Sequence, residues 1–315
     1  MGHSISVIIP TWNRKEDLLH CLDLVQRQSV KPKEIIVVDN GSTDGTVDVI
    51  KKQFPSVKVI ANRQNRGACI ARNQGITASA GELLWFLDND SMVYSKDCLK
   101  SMLPLLKGTV GLVGGELLVE NNRTKGIIRR TLLLNGEAKP HYLPLPQGLV
   151  RHDYLSTANC LVKKSLAKEL GGFHPLFGYI GEDTHFSYKA RKRGYLCVST
   201  PATSVWHKMS RQSRISGFYR SHRNRLIYVW LEFPWPRVLL LPVLDALSLF
   251  APYKWKRTKE TTMEKLLERE TVSTSLNKML YVPLHYVGGL AAAYVWLVGH
   301  VPLLLAHRLF PKRFL

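Results

Sequence analysis

The sequence is short of every feature that marks a disulfide scaffold, a zinc module or a secreted protein. Its five cysteines, Cys21, Cys69, Cys98, Cys160 and Cys197, are scattered over 315 residues with no close pair. That spacing excludes a zinc framework or dithiol motif and reads as reduced core thiols. Acidic residues are scarce, 24 Asp+Glu against 44 Lys+Arg, and the formal charge of +20 points to anionic partners. No basic stretch, apolar run and cleavage site open the chain, because Met1 to Ser4 lead straight into the apolar Ile5 to Pro10. The expectation is a domain working in the cytosol. An aromatic-rich RNA motif is missing too, so no nucleic acid is expected as partner although the charge allows one.

What is present is alternation. Ile5 to Ile9, Glu34 to Asp39 and Leu83 to Leu87 are continuous apolar runs of buried-strand type, and Val57 to Ala61 reads as a further strand. Helical patterns lie between them, through Leu18 to Val25, Val47 to Phe54 and Ala68 to Ala80. This order predicts an α/β domain with a mainly parallel sheet covered on both faces. Ligands of such sheets sit beyond the carboxyl ends of the strands. Three polar clusters fall there: Pro10 to Arg14, Asp39 to Asp44, and Asp88 to Asp90.

Asp88-Asn89-Asp90 sets two carboxylates two residues apart after a buried strand. Such a pair suits Mg²⁺ or Mn²⁺, although a polar turn has the same composition. Asn65, Arg66 and Gly67 precede the helix that carries Ala71-Arg72-Asn73, a place that favours phosphate. Taken together, Val7 to Arg14, Val37 to Thr46, Asn65-Arg66-Gly67 with Ala71-Arg72-Asn73, and Asp88-Asn89-Asp90 resemble the family 2 glycosyltransferases in order and spacing, over about residues 5 to 225. The resemblance implies a GT-A fold and a nucleotide-sugar donor, with uridine or thymidine diphosphate favoured. It implies donor binding by Pro10, Thr11, Asn13, Arg14, Asp39, Asn65, Gly67, Arg72, Asp88 and Asn89. Asp39 would meet the nucleobase, and Asp90 and His207 would hold the metal. Gly178 to Thr184 resembles the family's Glu-Asp motif, which makes Asp183 the base of a single inverting displacement. Glu116, Asn159 and Glu182 fall where the family shapes the donor-sugar and acceptor pocket. Tyr219, Arg220, Arg223 and Asn224 look like members of rhamnosyltransferase type that act on polyprenyl-diphosphate-linked sugars.

The last third changes character. Val238 to Phe250 and Tyr286 to Ala306 are apolar blocks, the second 21 residues without a formal charge. A helix of that length could span a bilayer. A single span would place the basic Arg308, Lys312 and Arg313 opposite the catalytic domain, a hairpin would export a lysine-rich segment, and Pro242, Asp245 and Pro302 interrupt the blocks. Helices seated on or dipping into the cytosolic leaflet fit better, as in a peripheral or monotopic protein. An apolar interface in a homo-oligomer is the soluble alternative. The expected organisation is a catalytic domain over residues 1–232 and a membrane-associating helical region over 233–315. The expected partner is a lipid-linked glycan acceptor. A sugar nucleotidyltransferase is the rival enzyme, disfavoured because Pro10 to Arg14 stands where such enzymes carry a glycine- and arginine-rich loop.

Overall fold

A computed structural model of the protein describes residues 3–119, 126–144, 148–208, 217–250 and 275–310. Two compact units are present, one of residues 1–131 and 138–209 with the terminal Leu315, the other of 132–137 and 210–314. In order, the first half holds β1 (Ile5–Thr11), α1 (Lys15–Gln26), β2 (Glu34–Asp39), α2 (Thr46–Gln53), β3 (Lys58–Ala61), α3 (Ala68–Ala78), β4 (Leu83–Leu87), β5 (Ser91–Met92) and α4 (Cys98–Met102). Then come β6 (Val110–Val119), β7 (Gly126–Leu132), β8 (Ala138–Pro144), β9 (Val150–His152), β10 (Asn159–Lys163), α5 (Lys164–Glu169), α6 (Glu182–Lys192) and β11 (Leu196–His207).

The main sheet runs β3-β2-β1-β4-β10-β6-β11-β5, with β9 beside β11. Its β3-β2-β1-β4 half is parallel. β10 enters antiparallel between β4 and β6, and β6 and β11 are again parallel. Strand direction is thereby restored, so β1, β2, β4 and β11 all end at one edge. Alternate residues of the apolar runs serve two cores. Val7, Ile9, Trp85 and Leu87 pack with Leu18, Leu22 and Val25 of α1, while Ile36 and Val38 pack with Ala71 of α3. Gly75 lets α3 lie close on β1, since a Cβ there would stand 2.4 Å from Ile8 Cγ2. Phe86 meets Phe173 and Phe186 edge to face on that second side.

The second unit contains α7 (Gly217–Glu232), α8 (Trp235–Leu239), α9 (Leu241–Phe250), α10 (Ser275–Gly299) and α11 (Val301–Leu309). The sequence reading counted residues up to 232 with the catalytic domain; α7 instead packs on α10 and α11 and belongs with them. Its Arg225 ion-pairs at 2.7 Å with Asp245, which also accepts hydrogen bonds from Tyr294 and Asn135. This buried charged knot explains why Asp245 sits in an apolar block. No single described helix is long and apolar enough to cross a membrane; Val287–Gly299 and Val301–Leu309 reach that length only as a pair bent by 68°. Pro302, in the first turn of α11, follows the bend.

Candidate active site

Strand ends bring the chemistry together. Asp88 follows β4, Asp90 precedes β5, and His207 closes β11, which pairs with β5 so that His207 lies opposite Ser91. One ligand atom from each of Asp88, Asp90 and His207 lies within 4.8 Å of the others. His207 Nε2 is 3.0 Å from Asp90 Oδ1 and 3.4 Å from Asp88 Oδ2. Burial alone would lower the imidazole pKa, but hydrogen bonds to Asp88 and Asp90 raise it to about 10. Two hard carboxylates and one imidazole at this spacing form a fitting donor set for Mn²⁺ or Mg²⁺. A divalent cation would take the place of the shared proton.

Arg72 sits beneath this cluster, 3% exposed, so it is not open to a nucleotide as the sequence reading implied. Its guanidinium donates to Asp88 Oδ1 at 2.6 Å and to Glu182 Oε1 at 2.7 Å. One fork thus orients a metal ligand and the residue before Asp183. Burial works against ionisation of Asp88, yet Arg72 and His207 hold its carboxyl well below the usual range. Glu182 has the opposite balance: burial dominates, and Asp183 and Asp88 add repulsion, so it is pushed up to about 7. Asp183 itself is half-buried in the first turn of α6, accepts the Thr184 N–H at 2.7 Å, and is raised, chiefly by burial.

The nucleotide-side residues occupy neighbouring loops. Asp39 is buried at the end of β2, where Oδ2 accepts the N–H groups of Gly41 and Ser42 at 3.1 and 3.0 Å. Its Oδ1 has no partner among the described residues. Asn13, at a φ of 49°, links the loops after β1 and β2 through Thr43 N and Ser42 Oγ. Asn89 donates to Thr11 Oγ1, next to the half-buried Pro10. Asn65 accepts the Gly67 N–H, and Gly67, at a φ of 83°, lets the loop lie against Gly178, whose Cα would be 3.3 Å from an added Cβ. Arg14 is tied to Asp17, Asp90 and the Lys208 carbonyl rather than held free for a donor.

One pocket assignment changes. Asn159 was expected to meet sugar hydroxyls, but it is 1% exposed, donating to Thr203 O and accepting from Trp85 Nε1. On β6, Gly115 is a packing requirement as well, because a Cβ there would sit 1.6 Å from Thr203 O. Glu116 follows on β6, its side chain outside the described residues. Arg220 and Arg223 lie on α7 in the second unit. Sequence reading passed over Asp17, which stands on α1 away from any strand-end motif.

Fold and donor set together define a class: a GT-A glycosyltransferase domain with the ligands of a divalent metal. The comparisons narrow it. The glycosyl transferase family 2 model matches residues 6–171, and the chain belongs to that family. It is 30% identical over 203 residues to glycosyltransferase AglE of Haloferax volcanii, covering 61% of this chain and 62% of AglE. It is 28% identical over 208 residues to the putative glycosyltransferase EpsH of Bacillus subtilis, 63% of this chain and 59% of that protein. The chain therefore spans about three fifths of either relative. Among solved structures, GalNAc-T7 with UDP, GalNAc and Mn²⁺ superposes with a TM-score of 0.65 at 19% identity, over 80% of this chain and 52% of that one. Mannosyltransferase PcManGT from Pyrobaculum calidifontis, in complex with GDP-Man and Mn²⁺, gives 0.57 at 18%, over 99% and 88%. At these identities the structures speak for the fold.

Proposed function

We propose that the protein transfers a sugar, with inversion, from a nucleoside diphosphate sugar to a hydroxyl of a membrane-held, polyprenyl-diphosphate-linked glycan during cell-envelope glycoconjugate synthesis. The observation that carries the reading is the Asp88–Asp90–His207 donor set on the same sheet edge as the unpaired Asp39 Oδ1, with Asp183 two contacts away through Arg72 and Glu182. Asp88, Asp90 and His207 would hold the cation, which would supply charge neutralisation for the departing diphosphate.

The remaining work falls to side chains. Asp39 Oδ1 accepts a ring N–H of the base, which suits uracil, thymine or guanine. Asp183 takes the proton of the acceptor hydroxyl as that oxygen bonds to the anomeric carbon; the bond to the diphosphate oxygen breaks, and its electron pair leaves with the nucleoside diphosphate. A carboxyl raised by burial is a stronger base than an exposed aspartate. The base must be ionised, so the rate falls as pH drops through that raised pKa. Membrane seating is supported by the exposed apolar side chains of α9 to α11.

The test is a mass-spectrometric screen of nucleotide sugars with Mn²⁺ and polyprenyl-diphosphate-linked acceptors. A glycosylated lipid of inverted anomeric configuration is expected. Asp183→Asn is expected to lower the transfer rate by about 10²- to 10⁴-fold and flatten the acid limb, while donor affinity stays within a few-fold. An Asn variant with wild-type rates would sink the base assignment. Pyrophosphate release from a nucleoside triphosphate and a sugar phosphate would sink the transferase reading.

A further inference from the structure

Beside the donor set lies a charged strap whose members Asp17 and Lys208 have no part in the transfer steps above. Asp17 Oδ2 accepts both Arg14 Nε at 2.9 Å and Arg14 Nη2 at 2.6 Å, while Asp17 Oδ1 accepts Lys208 Nζ at 3.0 Å. Arg14 Nη2 also donates to the Lys208 carbonyl at 3.0 Å, and Nη1 reaches Asp90 Oδ2 at 3.1 Å. The Lys208 N–H in turn donates to the Asp90 carbonyl. The strap therefore joins the start of α1 to Asp90 and to the residue following His207.

We propose that Asp17 is a positioning residue of the metal centre: it holds the Arg14 guanidinium to a single contact with Asp90 and so keeps Asp90 Oδ1 for a cation. The argument is one of competition. A guanidinium pairs best with a carboxylate through two parallel N–H···O bonds. Arg14 spends the two donors of one edge, Nε and Nη2, on the single oxygen Asp17 Oδ2, and only Nη1 is left for the outer oxygen of Asp90. The inner oxygen faces His207 Nε2 at 3.0 Å, within the donor set. Asp17 and Asp90 are 15% and 8% exposed in their side chains, so solvent competes weakly for Arg14. With Asp17 neutralised, the freed donors would turn to Asp90, the carboxylate Arg14 already touches, and cover the oxygen a cation needs. The inference rests on the metal-centre reading above, and metal binding by the unaltered chain tests that reading separately.

Mn²⁺ alone, titrated against the full chain and followed by electron paramagnetic resonance of the free ion, reads the effect directly. Asp17→Asn, nearly the same shape, is expected to weaken Mn²⁺ binding by about 10-fold or more, within the range for residues that orient metal ligands. It should also raise the KM for Mn²⁺ while kcat at saturating Mn²⁺ stays within a few-fold. Adding Arg14→Met to Asp17→Asn removes the competitor and is expected to bring Mn²⁺ affinity back to within about three-fold of wild type, a rescue that loss of folding would not give. Unchanged affinity in Asp17→Asn, or a double variant as weak as the single one, overturns the proposal. A wild-type chain that binds no Mn²⁺ overturns the metal centre itself.

Discussion

At the residue scale, Arg72 is the point where sequence and structure diverge most usefully. Its place in the Ala71-Arg72-Asn73 block marks a site, but not that the guanidinium turns inward to hold Asp88 and Glu182. Pairing is set by tertiary distances that cross 16 and 110 residues of chain, and no local pattern carries them. Losing Arg72 leaves the buried Glu182 carboxyl without its counter-charge and leaves the partly exposed Asp88 with His207 alone, which costs more than the Arg72–Glu182 pair contributes. Arg72→Met is expected to destabilise the folded chain by about 3 to 5 kcal/mol at pH 8, measured by urea denaturation. Glu182 already sits at about 7 with Arg72 present, and removing the cation raises it further. A carboxyl with a raised folded pKa penalises folding above that pKa and not below it, so the loss should shrink as pH falls below about 7. Lysine should not rescue it, since one ammonium cannot hold both oxygens in forked geometry. A loss independent of pH would contradict this account.

At the element scale, the parallel half was legible because three of its strands, β1, β2 and β4, are buried on both faces. β2 and β4 have the bounds the apolar runs imply, and α1 and α3 differ only at their ends. The other half was not, because β10 enters between β4 and β6 from far along the chain and β9 is three residues long. Glu34 shows what fastens the legible half. It accepts from Ser6 Oγ of β1, Lys58 Nζ of β3 and the Ala80 N–H ahead of β4, each at 2.5 Å. Burial opposes its ionisation, but the bonds from Lys58, Ser6 and Ala80 prevail and bring it down to about 2. The side chain of Lys58 is 58% exposed, which discounts its share. Glu34→Gln is expected to cost about 2 kcal/mol at pH 7. A depressed carboxyl stabilises above its unfolded pKa, near 4.5, and loses that stabilisation as pH falls toward 2. The gap between the two proteins should therefore narrow by about 1 kcal/mol between pH 7 and pH 3.5. Chemical denaturation at the two pH values decides it; a constant gap would assign the loss to packing instead.

At the scale of the whole molecule, the helical unit poses a solvation problem that its own packing does not solve. On α10, Leu290, Ala293 and Leu297 are buried, but Val287, Ala291, Val295 and Val298 form a second stripe at helical spacing that is exposed, the last two to 76% and 73%. Leu239, Leu240, Val243 and Leu247 are likewise exposed on α8, α9 and the residue joining them. A helix apolar on both faces needs an apolar medium or partner on the second. The sequence between α9 and α10 is net basic, with Lys254, Lys256, Arg257, Lys259, Lys265 and Arg269 against Glu260, Glu264, Glu268 and Glu270, which favours an anionic surface. Their own arrangement lies outside the described residues. Seating in a leaflet accounts for stripe and charge together, whereas an oligomer accounts for the stripe alone. Val295→Asp with Val298→Asp adds two charges to the stripe without touching the buried row. The paired variant is expected to lose at least about ten-fold of its partitioning onto vesicles with anionic lipid, since removing two apolar side chains and inserting carboxylates near acidic headgroups both oppose binding. Transfer to a water-soluble acceptor analogue should stay near wild type, because the donor set belongs to the other unit. Vesicle sedimentation and size-exclusion chromatography separate the readings: unchanged sedimentation with a dissociated oligomer would assign the stripe to a second copy of the chain.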